Sequence, residues 1–219
     1  NVGLNTFVWD GSHAPATTFT GMILWGGSTN GPPAAPGRYQ VRLNVDGKIL
    51  TQPLVVKRNP WRDATDADLL AQQNLALQIR DKLTEANAAI VQMREIKRQV
   101  TDRLGKSSDD KLKTTGDRLS NNLSDVEDDI YQVKNQSGQD PLNYPIKVNN
   151  RLASLLGVVS RSDAKPNVNI VSIFNDLKSE LKVETDRYQK VLVTDLPAFN
   201  AELRRLGLEA ITVTRPVVF

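Results

Sequence analysis

The chain is 219 residues long, with 39% hydrophobic and 24% charged residues and no cysteine. That composition is globular and the length suffices to bury a core, while the missing cysteine excludes disulfides, thiolate metal sites and cysteine nucleophiles. The net charge of +3 is uneven, because residues 1–62 carry six Lys or Arg against two Asp or Glu and residues 63–219 carry 22 against 23. These basic residues are scattered singly rather than clustered with aromatics, which argues against nucleic acid as a partner.

Residues 1–62 are punctuated by glycine, proline and tryptophan and read as β structure. Strands are expected at 6–9, 21–25, 39–45 and 49–56. The third alternates most cleanly: Tyr39, Val41, Leu43 and Val45 share one face, and Gln40, Arg42 and Asn44 share the other. Asp46-Gly47 supplies the two positive-φ residues of a tight hairpin. Four strands are few for a sandwich, so further strands or the helices must cover the apolar face.

A heptad-like seam runs through 63–104. Leu69, Ala76, Leu83 and Ile90 fall seven apart, with Ile79, Ala86, Met93 and Val100 interleaved, and Thr65 or Asp66 opens the helix. A second helix begins near Ser108 or Asp109 and carries Leu112, Gly116, Leu119, Leu123, Val126, Ile130 and Val133. The break before it is short, which favours an antiparallel neighbour. Pro141 and Pro145 mark a connector to a shorter helix over 146–159, with Leu152, Leu155, Leu156 and Val159 turned inward. Pro166 precedes the last long helix, whose seam runs from Ile170 through Phe174, Leu177, Leu181, Tyr188 and Val191 to Phe199, Leu203 and Leu206. Pro197 predicts a kink or interruption near 193–196, and Gly207 is placed to end the helix. Residues 211–219 are β-like and apolar.

The expected fold class is therefore α+β: a small Ig-like antiparallel β-sandwich, complete or half-formed, over 1–62, an antiparallel four-helix bundle over 63–211, and a tail over 212–219 that packs on the β domain. No apolar run approaches the ~20 residues that span a bilayer. No transmembrane segment and no signal peptide is expected in the chain, and its start at Asn1 rather than methionine suggests a piece of a longer parent.

Three ordered motifs carry a resemblance: Gly3-Leu4-Asn5-Thr6-Phe7-Val8-Trp9-Asp10-Gly11, Gly21-Met22-Ile23-Leu24-Trp25-Gly26 and Pro36-Gly37-Arg38-Tyr39-Gln40-Val41-Arg42-Leu43. This order resembles the Ig-like segment near the C-terminus of large bacterial BNR-repeat or sortilin-like β-propeller proteins of the glycosyl hydrolase type, and the Trp-Asp-Gly and Pro-Gly-x-Tyr parts also resemble flagellar hook-capping proteins. The first resemblance continues through Thr65-Asp66-Ala67-Asp68-Leu69 and Gln139-Asp140-Pro141-Leu142-Asn143-Tyr144-Pro145. It implies a secreted, periplasmic or envelope-exposed parent with its propeller upstream, and partners that are that propeller or other envelope proteins. The propeller's Asp-boxes and catalytic carboxylates are not among these residues.

Chemistry-bearing residues are sparse. Trp25 and Trp61 are the candidate ligand contacts, since an aromatic face stacks on a sugar ring; core packing is the competing reading for both and for Trp9. His13 lacks the partners of a catalytic triad, although Asp10 is near in sequence. Asp125, Glu127, Asp128 and Asp129 read as a solvated helix face rather than a calcium loop. The run 26–31 is glycine-rich but lacks the lysine and helix of a phosphate loop. No catalytic residue, cofactor site or metal site is expected. The leading expectation is a non-catalytic accessory or interaction module, with a carbohydrate-binding module, a helical dimerisation module and an enzyme as alternatives.

Overall fold

The computed structural model describes residues 3–213. It is α+β: β1 (Gly37–Val45) and β2 (Lys48–Val56) form a two-stranded antiparallel sheet, followed by helices α1 (Asp66–Leu104), α2 (Asp110–Ile130), α3 (Val148–Arg161) and α4 (Val168–Arg205), with a 3-10 turn at Asp140–Leu142. Among the described residues no helix is long and apolar enough to cross a membrane.

Local chemistry sets the helix ends. Thr65 caps α1 by accepting the Asp68 N–H, and the Asp68 carboxylate accepts the Thr65 N–H in return, a capping box that satisfies two otherwise orphaned donors. Asp109 accepts from the N–H groups of Lys111 and Leu112 at the start of α2, and Asn167 accepts from Ile170 at the start of α4. At the end of α4, Gly207 takes φ +69° and its N–H reaches the Arg204 carbonyl while Leu208 N–H reaches Leu203, the paired bonds of a Schellman turn.

The seams meet in one core. Ile79, Leu83, Ile90, Met93, Leu112, Leu119, Leu123, Leu152, Leu156, Leu181 and Phe199 are all fully buried there. Polar pairs tie neighbouring helices together. Arg94 and Lys97 of α1 meet Glu127 of α2, Asn122 of α2 meets Asp195 of α4, and Asn87 of α1 meets Asn149 of α3. Val133 departs from the expected seam: α2 stops at Ile130, and Val133 is exposed in the turn that follows.

Of the kink or interruption expected at Pro197, the interruption does not occur: α4 continues through it. The carbonyl that loses its donor belongs to Val193, whose residue is 70% exposed, so water can satisfy it and the loss is not fatal to the helix.

The largest difference from the sequence reading lies before Gly37. Residues 6–9 and 21–25 are not strands, and the described part of 1–62 does not form a sandwich. Residues 14–35 instead cross the helices as a strap. Ala16 enters the core, and Phe19, Met22 and Leu24 pack against it. Besides its own Ala16–Thr29 backbone bond, the strap's backbone is satisfied by side chains of the helices and of Tyr131, the residue that caps α2. Asn87 Nδ2 donates to the Thr17 carbonyl at 2.7 Å, the Ile23 N–H donates to the Tyr131 hydroxyl at 3.0 Å, and Asn150 both accepts from the Trp25 N–H at 2.7 Å and donates to its carbonyl at 3.0 Å. The glycine-rich run belongs to this strap, where Ser28 N–H reaches the Ala153 carbonyl at 3.0 Å. Phe19 sits edge-on to Tyr131 at 5.1 Å, and the Arg94 guanidinium covers both rings.

The start of the tail also differs from expectation. Residues 211–213 form no strand and lie on the helices: Asn200 donates to the Ile211 carbonyl and accepts its N–H, and Ile211 is buried. The rest of the expected tail, 214–219, lies outside the described residues.

Candidate functional site: the β-ribbon and its root

The hairpin turn forms as the Asp46-Gly47 pair dictates, with φ of +49° and +79° respectively. Val45 pairs with Lys48, Leu43 with Leu50, Val41 with Gln52 and Tyr39 with Leu54. Period-two alternation therefore gathers Tyr39, Val41, Leu43, Val45, Leu50 and Leu54 on one face. The sequence expects this face to be buried in a sheet. It is not: Val41, Leu43, Val45 and Leu50 are 51–63% exposed, because no helix or further strand of the described residues packs on the ribbon. Leu4, Phe7 and Val8 are exposed as well, and Trp9 lies 6.1 Å from the Tyr39 ring at the base of the same ribbon.

Polar contacts fix the root of the ribbon to the helices. The Tyr39 hydroxyl donates to the Ala35 carbonyl at 2.7 Å, and the Ala35 N–H donates to Gln73 of α1 at 2.5 Å. After β2, Arg58 donates to the carbonyls of Arg62 and Ala64 at 3.0 Å each and pairs with Asp66 at 3.5 Å. Arg62 reaches Asp163 beyond α3 at 3.1 Å. These groups border an open cleft of about 140 Å³ whose walls include Ala35, Val56, Arg58, Arg62, Gln72 and Asp163.

The tryptophans are not packed in the core as the competing reading expects. Trp9 and Trp25 are each 40% exposed and Trp61 is 90% exposed. Trp25 is held through its backbone by Asn150 near the start of α3, whereas Trp61 sits beside Arg62, which is tied to Asp163 past the end of that helix. From Asn150 to the end of α3 the helix rises about 17 Å, so the two indoles are not brought into one site. The backbone N–H of Trp61, not its indole, donates to Asn59 Oδ1 at 3.0 Å.

The remaining candidates resolve into structural roles. Asp10 accepts from the Ser12 N–H rather than pairing with His13. His13 joins the strap by its backbone, donating to the Pro32 carbonyl. The acidic cluster is not one solvated face: Glu127 is buried, with Arg94 and Lys97 each 2.6 Å from its carboxylate, and Asp129 pairs with Arg187 at 2.7 Å. Burial, and then the Glu127 charge beside it, push the Asp128 carboxyl above its ordinary range. Sequence reasoning missed the buried amides Gln72, Asn87, Asn149 and Asn150, whose signal is polarity inside an otherwise apolar seam.

No family model matches the chain, and no curated protein or solved structure matches it either.

Proposed function

We propose that this chain is a non-catalytic interaction and assembly module of a larger secreted or envelope-exposed protein. Its helices form an antiparallel four-helix bundle that serves as a stable body, and its ribbon contributes to an Ig-like sandwich completed by strands from elsewhere, an upstream β-propeller or another envelope protein being the partner that the sequence resemblance suggests. The observation that carries this reading is the ribbon's uncovered apolar face, since an exposed contiguous apolar patch marks a contact surface. The α1 seam is already covered by the chain's own helices, which favours a contact through the ribbon over dimerisation through α1. The test is hydrogen exchange on the chain alone and on the longer parent. The ribbon amides are expected to exchange at least tenfold more slowly in the parent while the helices are unchanged; equal ribbon exchange in both sinks the reading.

A second reading is carbohydrate contact at Trp61, favoured by an indole 90% exposed on a backbone held by Asn59. Tryptophan fluorescence titrated with cell-wall polysaccharide checks it. A response lost in Trp61→Ala, with melting unchanged, supports sugar stacking, and no response in the parent chain removes it.

A further inference from the structure

The ribbon's two edges are not equivalent. A two-residue hairpin loop makes its flanking residues, Val45 and Lys48, the first hydrogen-bonded pair, and the antiparallel ladder then alternates. Gly37, Tyr39, Val41, Leu43 and Val45 consequently turn their backbone groups toward β2. Those of Arg38, Gln40, Arg42 and Asn44 point outward from β1. On β2 the outward set is Ile49, Thr51, Pro53 and Val55. Proline has no N–H, so Pro53 removes a donor from the middle of that edge, the placement by which natural sheets protect an edge from pairing. The β1 edge carries no such block. Among the described residues, no other segment bonds to its outward backbone groups.

Side-chain charge distinguishes the edges further. Arg38 and Arg42 lie on the face opposite Val41 and Leu43, four residues apart with Gln40 between them. Both are exposed, and among the described residues neither has an ion-pair partner. A second copy of this chain is a poor occupant, because pairing β1 with itself places four guanidinium groups on one face of the sheet, and like charges on neighbouring strands are destabilising.

Resting on the reading of the ribbon as an interaction surface, we infer that the outer edge of β1 accepts an extended strand from a partner protein, extending the sheet from two strands to three. The partner strand alternates apolar residues, which continue the Val41-Leu43 face, with polar residues that include two carboxylates four positions apart, opposite Arg38 and Arg42. Main-chain bonds to Arg38, Gln40, Arg42 and Asn44 supply affinity, and the two arginines set the register.

The probe is the capped peptide Val-Glu-Val-Thr-Val-Glu-Val, titrated into the intact chain and followed by fluorescence anisotropy and by amide exchange. Saturation is expected to slow exchange at Arg38, Gln40, Arg42 and Asn44 at least tenfold. The double variant Arg38→Glu/Arg42→Glu is expected to bind the peptide at least tenfold more weakly and to recover affinity for the version with lysine in place of glutamate. Gln40→Pro, checked for an unchanged melt, is expected to abolish binding, while Thr51→Pro on the opposite edge leaves it intact. Absence of binding overturns the inference, as does protection confined to Ile49, Thr51 and Val55. Self-association that protects the β1 edge without peptide overturns it in favour of a second copy. Shielding of the Val41 and Leu43 methyls without protection of the four amides overturns strand addition but leaves the interaction reading standing.

Discussion

The helical body and the β-ribbon both carry apolar residues at regular spacing, and they meet opposite fates. In α1 the residues Ile79, Leu83, Ile90 and Met93 are fully buried, whereas in β1 the residues Val41, Leu43 and Val45 stay more than half exposed. Periodicity identifies the apolar face of an element; it does not say whether the same chain provides a cover. Four helices each bring a seam, so every seam finds another. Two strands make one face, and no helix or further strand of the described residues packs across it. The contrast separates what stabilises this molecule from what it offers to others.

Removing a core anchor should break the body most severely. Phe199 is fully buried on α4 and approaches Gly116 of α2 so closely that a methyl there would lie 2.9 Å from its ring. Phe199→Ala is expected to cost about 3–5 kcal/mol, from lost transfer energy plus a cavity that the close-packed helices cannot collapse. Urea unfolding followed by circular dichroism checks this. A loss below about 1 kcal/mol means that the helices repack freely and that the body is less rigid than its burial implies.

The strap is the next test, since it lies between the two regimes: β-like in sequence, core-covering in structure. Asn150→Ala strips the Trp25 N–H and carbonyl of their partners, and leaving partly buried polar groups unpaired is expected to cost about 1–3 kcal/mol. Exchange at Ile23, Trp25 and Ser28 should accelerate before global unfolding, with a red shift of tryptophan emission. Unchanged exchange at these three amides breaks the claim that helix side chains hold the strap.

Much of the body was legible because its determinants are local. Thr65, Asp109 and Gly207 mark helix ends through bonds to residues within three or four positions, and the seams repeat within each helix. The strap was not legible for the opposite reason. Its apolar residues Phe19, Met22 and Leu24 announce burial, and β-like text suggests strands, but its hydrogen-bond partners Asn87, Tyr131 and Asn150 lie 70 to 125 positions away. The hairpin's turn and register were legible from Asp46-Gly47 and alternation, while the exposure of its face was not, because exposure depends on what fails to arrive. That α4 continues through Pro197 was not legible, because the cost of a missing N–H depends on whether the widowed carbonyl reaches water. Of the candidate contacts, Trp61 emerged exposed as a ligand contact requires; the edge asymmetry that Pro53 creates was present in the sequence but had meaning only once the register was known.

A smaller effect separates the body's surface charges by pH. The Arg205 guanidinium, with the Leu112 N–H, holds Asp109 below its ordinary carboxylate range. A depressed folded pKa gives stability that is present above the unfolded value of roughly 3.9 and is lost as the pH falls through the lower folded value. Asp109→Ala is therefore expected to lower the melting temperature at neutral pH and to converge with the parent chain as the solution is acidified below that range. Asp128 has the opposite sign. Its raised pKa favours the folded state at low pH and is a liability once the pH rises through the folded value, so Asp128→Asn is expected to raise the neutral-pH melting temperature slightly. Thermal melts of both variants across pH check the two directions, and parallel shifts at every pH contradict the charge assignments.

The smallest effect on stability is expected where the apolar pattern is most regular. Val41→Thr and Leu43→Thr together remove hydrophobic surface from the ribbon while keeping a residue that suits a strand. In the helices such a change would empty core volume. Here the side chains are 53% and 54% exposed, make no part of the core cluster, and pair across a two-stranded ladder whose backbone bonds the substitution leaves in place. The change in unfolding free energy is expected to stay within about 0.5 kcal/mol, with the helical signal and its cooperativity unaltered. Chemical denaturation of the double variant measures it directly. A loss above about 1 kcal/mol would show that this face is covered in the folded chain, and the division between a self-sufficient body and an open ribbon would fall with it. A null result, combined with loss of the acidic peptide's binding in the same protein, assigns these two residues to contact rather than to folding.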